Sequence, residues 1–179
     1  LAQKTAPTPG QADKSPMHIP FGLGLVGPSG EDMALDLEGV GSLNAPIIEL
    51  TEETKSFRFR NIASRPVLSL NRGFSAPVIL QENVSAEDQL FLMGRDKDTF
   101  NRWEAGQSLG RKLIIASLKS PDDLIEVMGS IGSYAAALKT TLGDQKLDQA
   151  FKALMLGLPT EADIAAALGS NVDTDKVLT

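Results

Sequence analysis

The hydrophobic pattern of this chain changes period once, near Val84, and that change limits what the chain can fold into. Before it, apolar residues fall in short runs broken by Pro and Gly. Ile19 to Val26 is one run, Leu35 and Leu37 alternate with acids, and Ile47, Ile48 and Leu50 follow Pro46. In Lys55-Ser56-Phe57-Arg58-Phe59-Arg60 the two phenylalanines share one face and the two arginines the other, the period of two of a half-buried strand. The runs starting at Pro66 and Pro77 each begin with proline, which a strand accepts at its first residue but not inside. Short strands with turn signals at this spacing predict an antiparallel sandwich.

After Ser85 the period becomes helical. Ser85-Ala86-Glu87-Asp88 and Thr160-Glu161-Ala162-Asp163 have the form of a helix-opening box, and Ser120-Pro121-Asp122-Asp123 offers a cap, a first-turn proline and two acids. Phe100, Trp103, Gly110, Leu113, Ile114 and Leu118 fall on one stripe, with Trp103 expected as a core anchor. A second stripe runs from Leu124 through Met128, Ile131, Ala135 and Leu138 to Leu142, and a third joins Leu147, Phe151, Leu154 and Met155. Gly143, Gly157 and Gly169 are placed to stop helices. The fold class is therefore mixed. An antiparallel, immunoglobulin-like β-sandwich with an N-terminal linker occupies residues 1–84. An all-α, solenoid-like helical stack occupies 85–179.

Little in the chain carries chemistry. Gly22-Leu23-Gly24-Leu25-Val26-Gly27 has the spacing of a dinucleotide-binding loop, but that loop needs a helix to open at the third glycine. Here Pro28-Ser29-Gly30 makes a turn and an alternating stretch follows, so the glycines read as a strand packed closely by a neighbour. His18 is the only histidine and there is no cysteine, which removes thiolate nucleophiles, disulfides and the usual zinc ligand sets. The acid pairs Glu52-Glu53, Asp96/Asp98 and Asp122-Asp123 sit at turns or helix starts, where caps and solvated charges account for them. A net charge of −6 argues against a nucleic-acid or anionic-membrane surface, and no apolar run reaches the ~18 residues of a membrane span. Catalytic, cofactor-binding and metal residues are all expected to be absent from this chain.

Three segments add a resemblance: Ala2-Gln3-Lys4-Thr5-Ala6-Pro7-Thr8-Pro9-Gly10-Gln11 running on to Met17-His18-Ile19-Pro20, then Val67 to Leu80, then Asp98 to Gln107. In order and spacing they resemble the bacterial aminopeptidase N family, zinc metallopeptidases of the gluzincin type. The resemblance implies a small β-sandwich domain lying after a catalytic domain, followed by the first helices of a long helical domain. The H-E-x-x-H zinc motif, the G-x-M-E-N loop and the transition-state tyrosine of that family would lie upstream. This chain has no His-Glu pair, and Tyr134 has no such motif around it. Zinc is thus implied for the parent enzyme, with ligands outside this chain, and peptides are implied as substrates through the catalytic domain. A cytoplasmic location follows by resemblance alone.

Two readings of function come out of this. One is the scaffold portion of a zinc aminopeptidase; the other is a stand-alone sandwich-plus-helices binding or adaptor module without activity. Leu1 reads as the tail of a strand entered from a longer chain, with no signal-peptide layout around it. The last helix, Thr160 to Leu168, is expected to leave Ile164, Ala165 and Leu168 uncovered and so to fray or self-associate.

Overall fold

Ile19–Val26 forms the longest strand of the chain, and the first sheet is built around it. The computed structural model describes residues 1–119 and 124–169. It divides into two compact units, Leu1–Gln81 and Glu82–Thr179. In the first unit the strands are β1 (Ile19–Val26), β2 (Asp36–Leu37), β3 (Gly41–Ser42), β4 (Ile47–Leu50), β5 (Phe59–Arg60) and β6 (Val67–Leu70). They make two antiparallel sheets, ordered β4-β1-β6 and β3-β2-β5. Ile19, Phe21 and Leu23 of β1 bury against Ile48, Leu50, Leu70 and Ala76. Leu35, Leu37, Phe57 and Phe59 pack onto this cluster, the apolar faces that the period of two requires.

The other face of β1 carries Gly22 and Gly24, and there the close neighbour is Arg72. Register places Gly24 opposite Ser69, whose hydroxyl accepts a hydrogen bond from Arg72 Nε at 2.8 Å. Both Arg72 terminal nitrogens fork onto the Asp32 carboxylate at 2.9 Å each. The guanidinium lies so close over Gly24 that a Cβ there would collide with it, and a Cβ on Gly22 would stand 2.9 Å from the Arg72 carbonyl oxygen. Arg72 is aimed by a short 3-10 turn, Arg72–Phe74, entered through Asn71 at φ 60 and left through Phe74 at φ 52. Asn71 fixes this turn from within: its Oδ1 accepts from the Ser75 hydroxyl at 3.0 Å and the Ala76 N–H at 2.9 Å, and its Nδ2 donates to the Ala76 carbonyl at 3.1 Å. A left-handed backbone suits Asn and is strained for Phe.

The turn after β1 forms as the sequence suggests. Gly30 N–H donates to the Gly27 carbonyl at 2.8 Å, and Gly27 N–H to the Glu31 carbonyl at 2.8 Å. The run from Pro77 differs from expectation, because it belongs to no strand. Val78 packs on the core, but Ile79 is 93% exposed. An apolar run does not by itself make a strand; a strand also needs a neighbour to pair with.

The second unit contains α1 (Ala86–Arg95), α2 (Thr99–Lys119), α3 (Leu124–Gly143), α4 (Gln149–Met155) and α5 (Glu161–Leu168). Their starts follow the predicted chemistry. Ser85 Oγ accepts the Asp88 N–H, Asp148 the Phe151 N–H, and Thr160 and Asp163 cap each other reciprocally. The Ser120-Pro121-Asp122-Asp123 start lies outside the described residues.

The helices are tied together by one buried cation, Arg102 of α2. Its Nε donates to the Met93 carbonyl at 3.2 Å and one terminal nitrogen to the Gly94 carbonyl at 2.9 Å, so the last turn of α1 gains donors that a helix end lacks. The same nitrogen reaches Thr141 Oγ1 on α3 at 3.3 Å, and the other meets Asp144 Oδ2 at 3.0 Å. Thr141 Oγ1 itself donates to the Met93 carbonyl at 2.8 Å. Around this centre α2 buries Ala105, Gly106, Leu109 and Gly110. A Cβ on Gly106 would sit 3.4 Å from Met155 Cε, and one on Gly110 would sit 3.0 Å from the Pro159 ring. Gln107 Nε2 holds the Gly157 carbonyl beyond α4 at 2.8 Å.

This buried face corrects two of the expected stripes. Trp103 is half-buried, tilted against Phe100 with ring centroids 6.2 Å apart, and is no core anchor. On α3, Met128 and Ile131 are 68% and 50% exposed, whereas Thr141 is fully buried. The reason is common to both helices. Small residues permit close approach and a fully bonded Arg or Thr fills the centre, and neither signal registers as apolar.

Three outcomes follow. Gly24→Ala forces its Cβ into the Arg72 guanidinium and is expected to lower unfolding free energy by about 1–3 kcal/mol, read from urea midpoints. Arg102→Met takes away the donors on Gly94 and Asp144 while keeping length, and is expected to cost about 2–4 kcal/mol by the same measurement. Asp144 is held below the usual carboxylate range by the Lys146 main-chain N–H and then by Arg102. Its contribution to stability is complete above the unfolded carboxylate pKa and is lost as pH falls through the depressed folded value. The stability gap between the parent chain and Asp144→Asn is therefore expected to close on acidification and to stay constant above neutrality.

Candidate functional site

Each residue singled out by the sequence can now be placed. Gly22 and Gly24 lie inside β1, and Gly27 opens a reverse turn, so no helix N-terminus faces them. The glycines serve the approach of Arg72. His18 stands just before β1 with its side chain 61% exposed, and its Nε2 lies 3.5 Å from Glu49 Oε1. Glu52 meets Lys55 at 3.5 Å and gives its carbonyl to Gln3 Nε2 at 3.0 Å, while Glu53 gives its carbonyl to the Gln3 N–H.

Asp96 and Asp98 are turn residues between α1 and α2. Asp96 is fully buried, its N–H closes α1 on the Leu92 carbonyl, and its Oδ1 accepts the Asp98 N–H at 2.9 Å. Asp98 Oδ1 in turn accepts the Asn101 N–H at 2.9 Å in the first turn of α2. These are the contacts of caps. Asp122 and Asp123 lie outside the described residues. Tyr134 sits half-buried on α3, and burial pushes its phenol above the usual range, toward the neutral form. Among the described residues, no group of three or more His, Asp or Glu side chains is placed to hold a metal ion. Nor is any described helix long and apolar enough to cross a membrane.

One cleft of about 750 Å³ opens in the first unit. Leu37, Leu43, Ile47 and Phe57 line it, with Glu38, Glu49 and Lys55 among its polar groups. Those charges already have partners: Glu38 binds Arg60 at 2.7 Å, Glu49 faces His18, and Lys55 faces Glu52. A ligand site of ordinary design combines an apolar wall with a few convergent polar groups. Here each of these charges is paired with a residue outside the lining.

The residues that do the most are two that the search for reactive side chains passed over, Arg72 and Arg102. Both lie inside segments that carried the family resemblance, Val67 to Leu80 and Asp98 to Gln107. The signal that marks them is membership of those segments, not reactivity. Gly106, Gln107 and Gly110 are in or beside the second segment for the same packing reasons.

Residues 1–83 match the family model described as domain of unknown function DUF3458, Ig-like fold. Residues 86–179 match DUF3458_C, described as ARM repeats. Aminopeptidase N of Caulobacter vibrioides is 44% identical over 120 residues, covering 66% of this chain and 13% of that protein. Aminopeptidase N of Escherichia coli is 34% identical over 169 residues, covering 92% of this chain and 19% of that protein. In structure, the chain is similar to Legionella pneumophila aminopeptidase A, crystallised in complex with aspartic acid. That match has a TM-score of 0.66 and 28% identity, over 90% of this chain and 17% of that one. The chain thus spans less than a fifth of the length of these proteins. With an Ig-like unit, a helical-repeat unit and these relatives, the chain belongs to the aminopeptidase N family and corresponds to a non-catalytic region of such a peptidase.

Proposed function

We propose that this chain is the scaffold portion of a zinc-dependent aminopeptidase that removes N-terminal residues from peptides. In this reading residues 1–84 are the sandwich domain and 85–179 the start of the helical domain. No residue of either is catalytic, binds a cofactor or ligates metal. Zinc, held elsewhere in the longer protein, would polarise the scissile carbonyl and activate water. Peptides are the partners of the whole enzyme through its catalytic domain, neither nucleic acid nor membrane is a partner, and the enzyme works in the cytoplasm.

The observation that carries this reading is how the family-marking residues are used. Arg72, Arg102 and Gln107 direct their polar atoms to main-chain carbonyls, to Ser69 and Thr141, and to Asp32 and Asp144, and so hold elements in place. Self-association of the helical unit belongs to this reading, with Ala165 and Leu168 half-buried on the expected face. Ile164 is buried, whereas Met128, Ile131, Leu156 and Leu158 are exposed.

The chain alone is expected to hold no stoichiometric zinc and to leave an aminoacyl p-nitroanilide uncleaved. The full-length protein is expected to bind zinc and turn the reporter over. Turnover by the isolated chain, or a full-length protein with neither zinc nor turnover, would favour the adaptor reading or a different chemistry.

A further inference from the structure

Along α3 the sequence carries a strictly spaced apolar stripe. Leu124, Met128, Ile131, Ala135, Leu138 and Leu142 follow one another at intervals of 4, 3, 4, 3 and 4 residues, the spacing of a helix–helix seam. From Met128 onward the described structure leaves this stripe open. Met128, Ile131 and Ala135 are exposed, and Leu138 and Leu142 are half-buried. α3 meets α1 and α2 through its other side, where Thr141 is fully buried and Tyr134 half-buried.

Three further features suit this face to a second helix. Apart from Lys139, residues 127–143 carry no charge, in a chain of net charge −6. Gly132, beside the stripe, has open space where a Cβ would stand. The inward glycines of α2 differ, because a Cβ on Gly106 or Gly110 would crowd Met155 or Pro159. Glycine weakens a helix interior, and no described neighbour makes use of the Cβ that Gly132 lacks. The Ser133 and Thr140 hydroxyls donate to the Gly129 and Ala136 carbonyls at 3.2 and 3.1 Å, so covering the face leaves them bonded.

We infer that this face of α3 packs against the same face of a second copy of the chain, antiparallel, about a two-fold axis beside residue 133. Self-complementarity selects the occupant. The intervals read the same in both directions, so the dyad sets position 128 of one copy level with 138 of the other, and 131 level with 135. Met128 then meets Leu138, and Ile131 fills the space beside Ala135. A parallel pair would set Ala135 against Ala135 and leave a gap. Charge agrees with the antiparallel choice. Lys139 falls level with position 127 of the second copy, so the two lysines stand about 18 Å apart along the axis at about 1.5 Å per residue. The seam is about 27 Å long at the same rise per residue. A helix pair of that length buries on the order of 1,000 Å² in all, the low end for a specific interface, so the dimer is weak and depends on concentration. The inference rests on the self-association in the proposed reading, for which it names the surface, and is independent of catalysis.

The test follows mass by light scattering over a range of concentration, for this chain and for the longer protein that contains it. Both are expected to dimerise as concentration rises. Ile131→Glu sets a carboxylate against Ala135 of the second copy and is expected to raise the dissociation constant about tenfold or more. Gly132→Gln is expected to raise the unfolding midpoint and yet weaken the dimer, which separates contact from folding. The chain has no cysteine, so thiols can be placed singly. Under mild oxidation a mixture of Met128→Cys and Leu138→Cys chains is expected to form the mixed disulfide about tenfold faster than Met128→Cys alone links to itself. In the antiparallel pair the two thiols of Met128→Cys lie about 15 Å apart along the axis, too far for a disulfide. A dimer indifferent to Ile131→Glu, or one that links Met128→Cys to itself as fast as the mixture, would overturn the inference and leave self-association standing. Monomers at every concentration would overturn both. A dimeric chain with a monomeric longer protein would also overturn it, giving the face to another segment of the same polypeptide.

Discussion

A buried guanidinium is tolerable only if its donors are matched, and that requirement organises the helical half of this protein. Arg102 is almost wholly enclosed, and its partners come from three places in the chain: the last turn of α1, Thr141 on α3 and Asp144 beyond it. A helix end leaves carbonyls unsatisfied, and an arginine fork is the side chain best shaped to meet several at once. Position, burial and hydrogen bonding are therefore one constraint. Any displacement of α1 or α3 would leave a charge and two carbonyls short of partners, at a cost large beside ordinary packing differences.

The sandwich half solves a related problem with Arg72. Here the cation lies over a strand, and room for it comes from leaving out a side chain at Gly24. Asp32 and Ser69 complete its bonding, and the left-handed turn from Asn71 to Phe74 aims it. A glycine pair that mimics a phosphate-binding motif is thus the footprint of an ion pair. The motif spacing is the same in both cases because both need a backbone with no Cβ in the way.

Both devices lie in segments that carry the family resemblance. The Gly, Asn, Arg and Gln residues of these segments are types that also build active sites. In this chain they join strand to turn and helix to helix.

Much of the architecture was legible in the residues. The switch of period near Val84, the boxes at Ser85 and Thr160 and the stops at Gly143, Gly157 and Gly169 are local signals that the helices follow, whereas the Phe57/Phe59 alternation gives a strand only at Phe59–Arg60. The absence of a helix after Gly27 was equally local. What a helix buries is different, because it depends on which neighbour approaches and how closely. That is why α2 turns Arg102, Ala105 and Gly106 inward and leaves Trp103 half out, and why Met128 and Ile131 of α3 are exposed. It is also why Pro77 to Gln81, an apolar run with no strand to pair, stays outside both sheets. Periodicity carries the hydrophobic term alone; tertiary structure adds the satisfaction of buried polar groups and the distance of closest approach, and these decided which faces of the helices and strands lie inside.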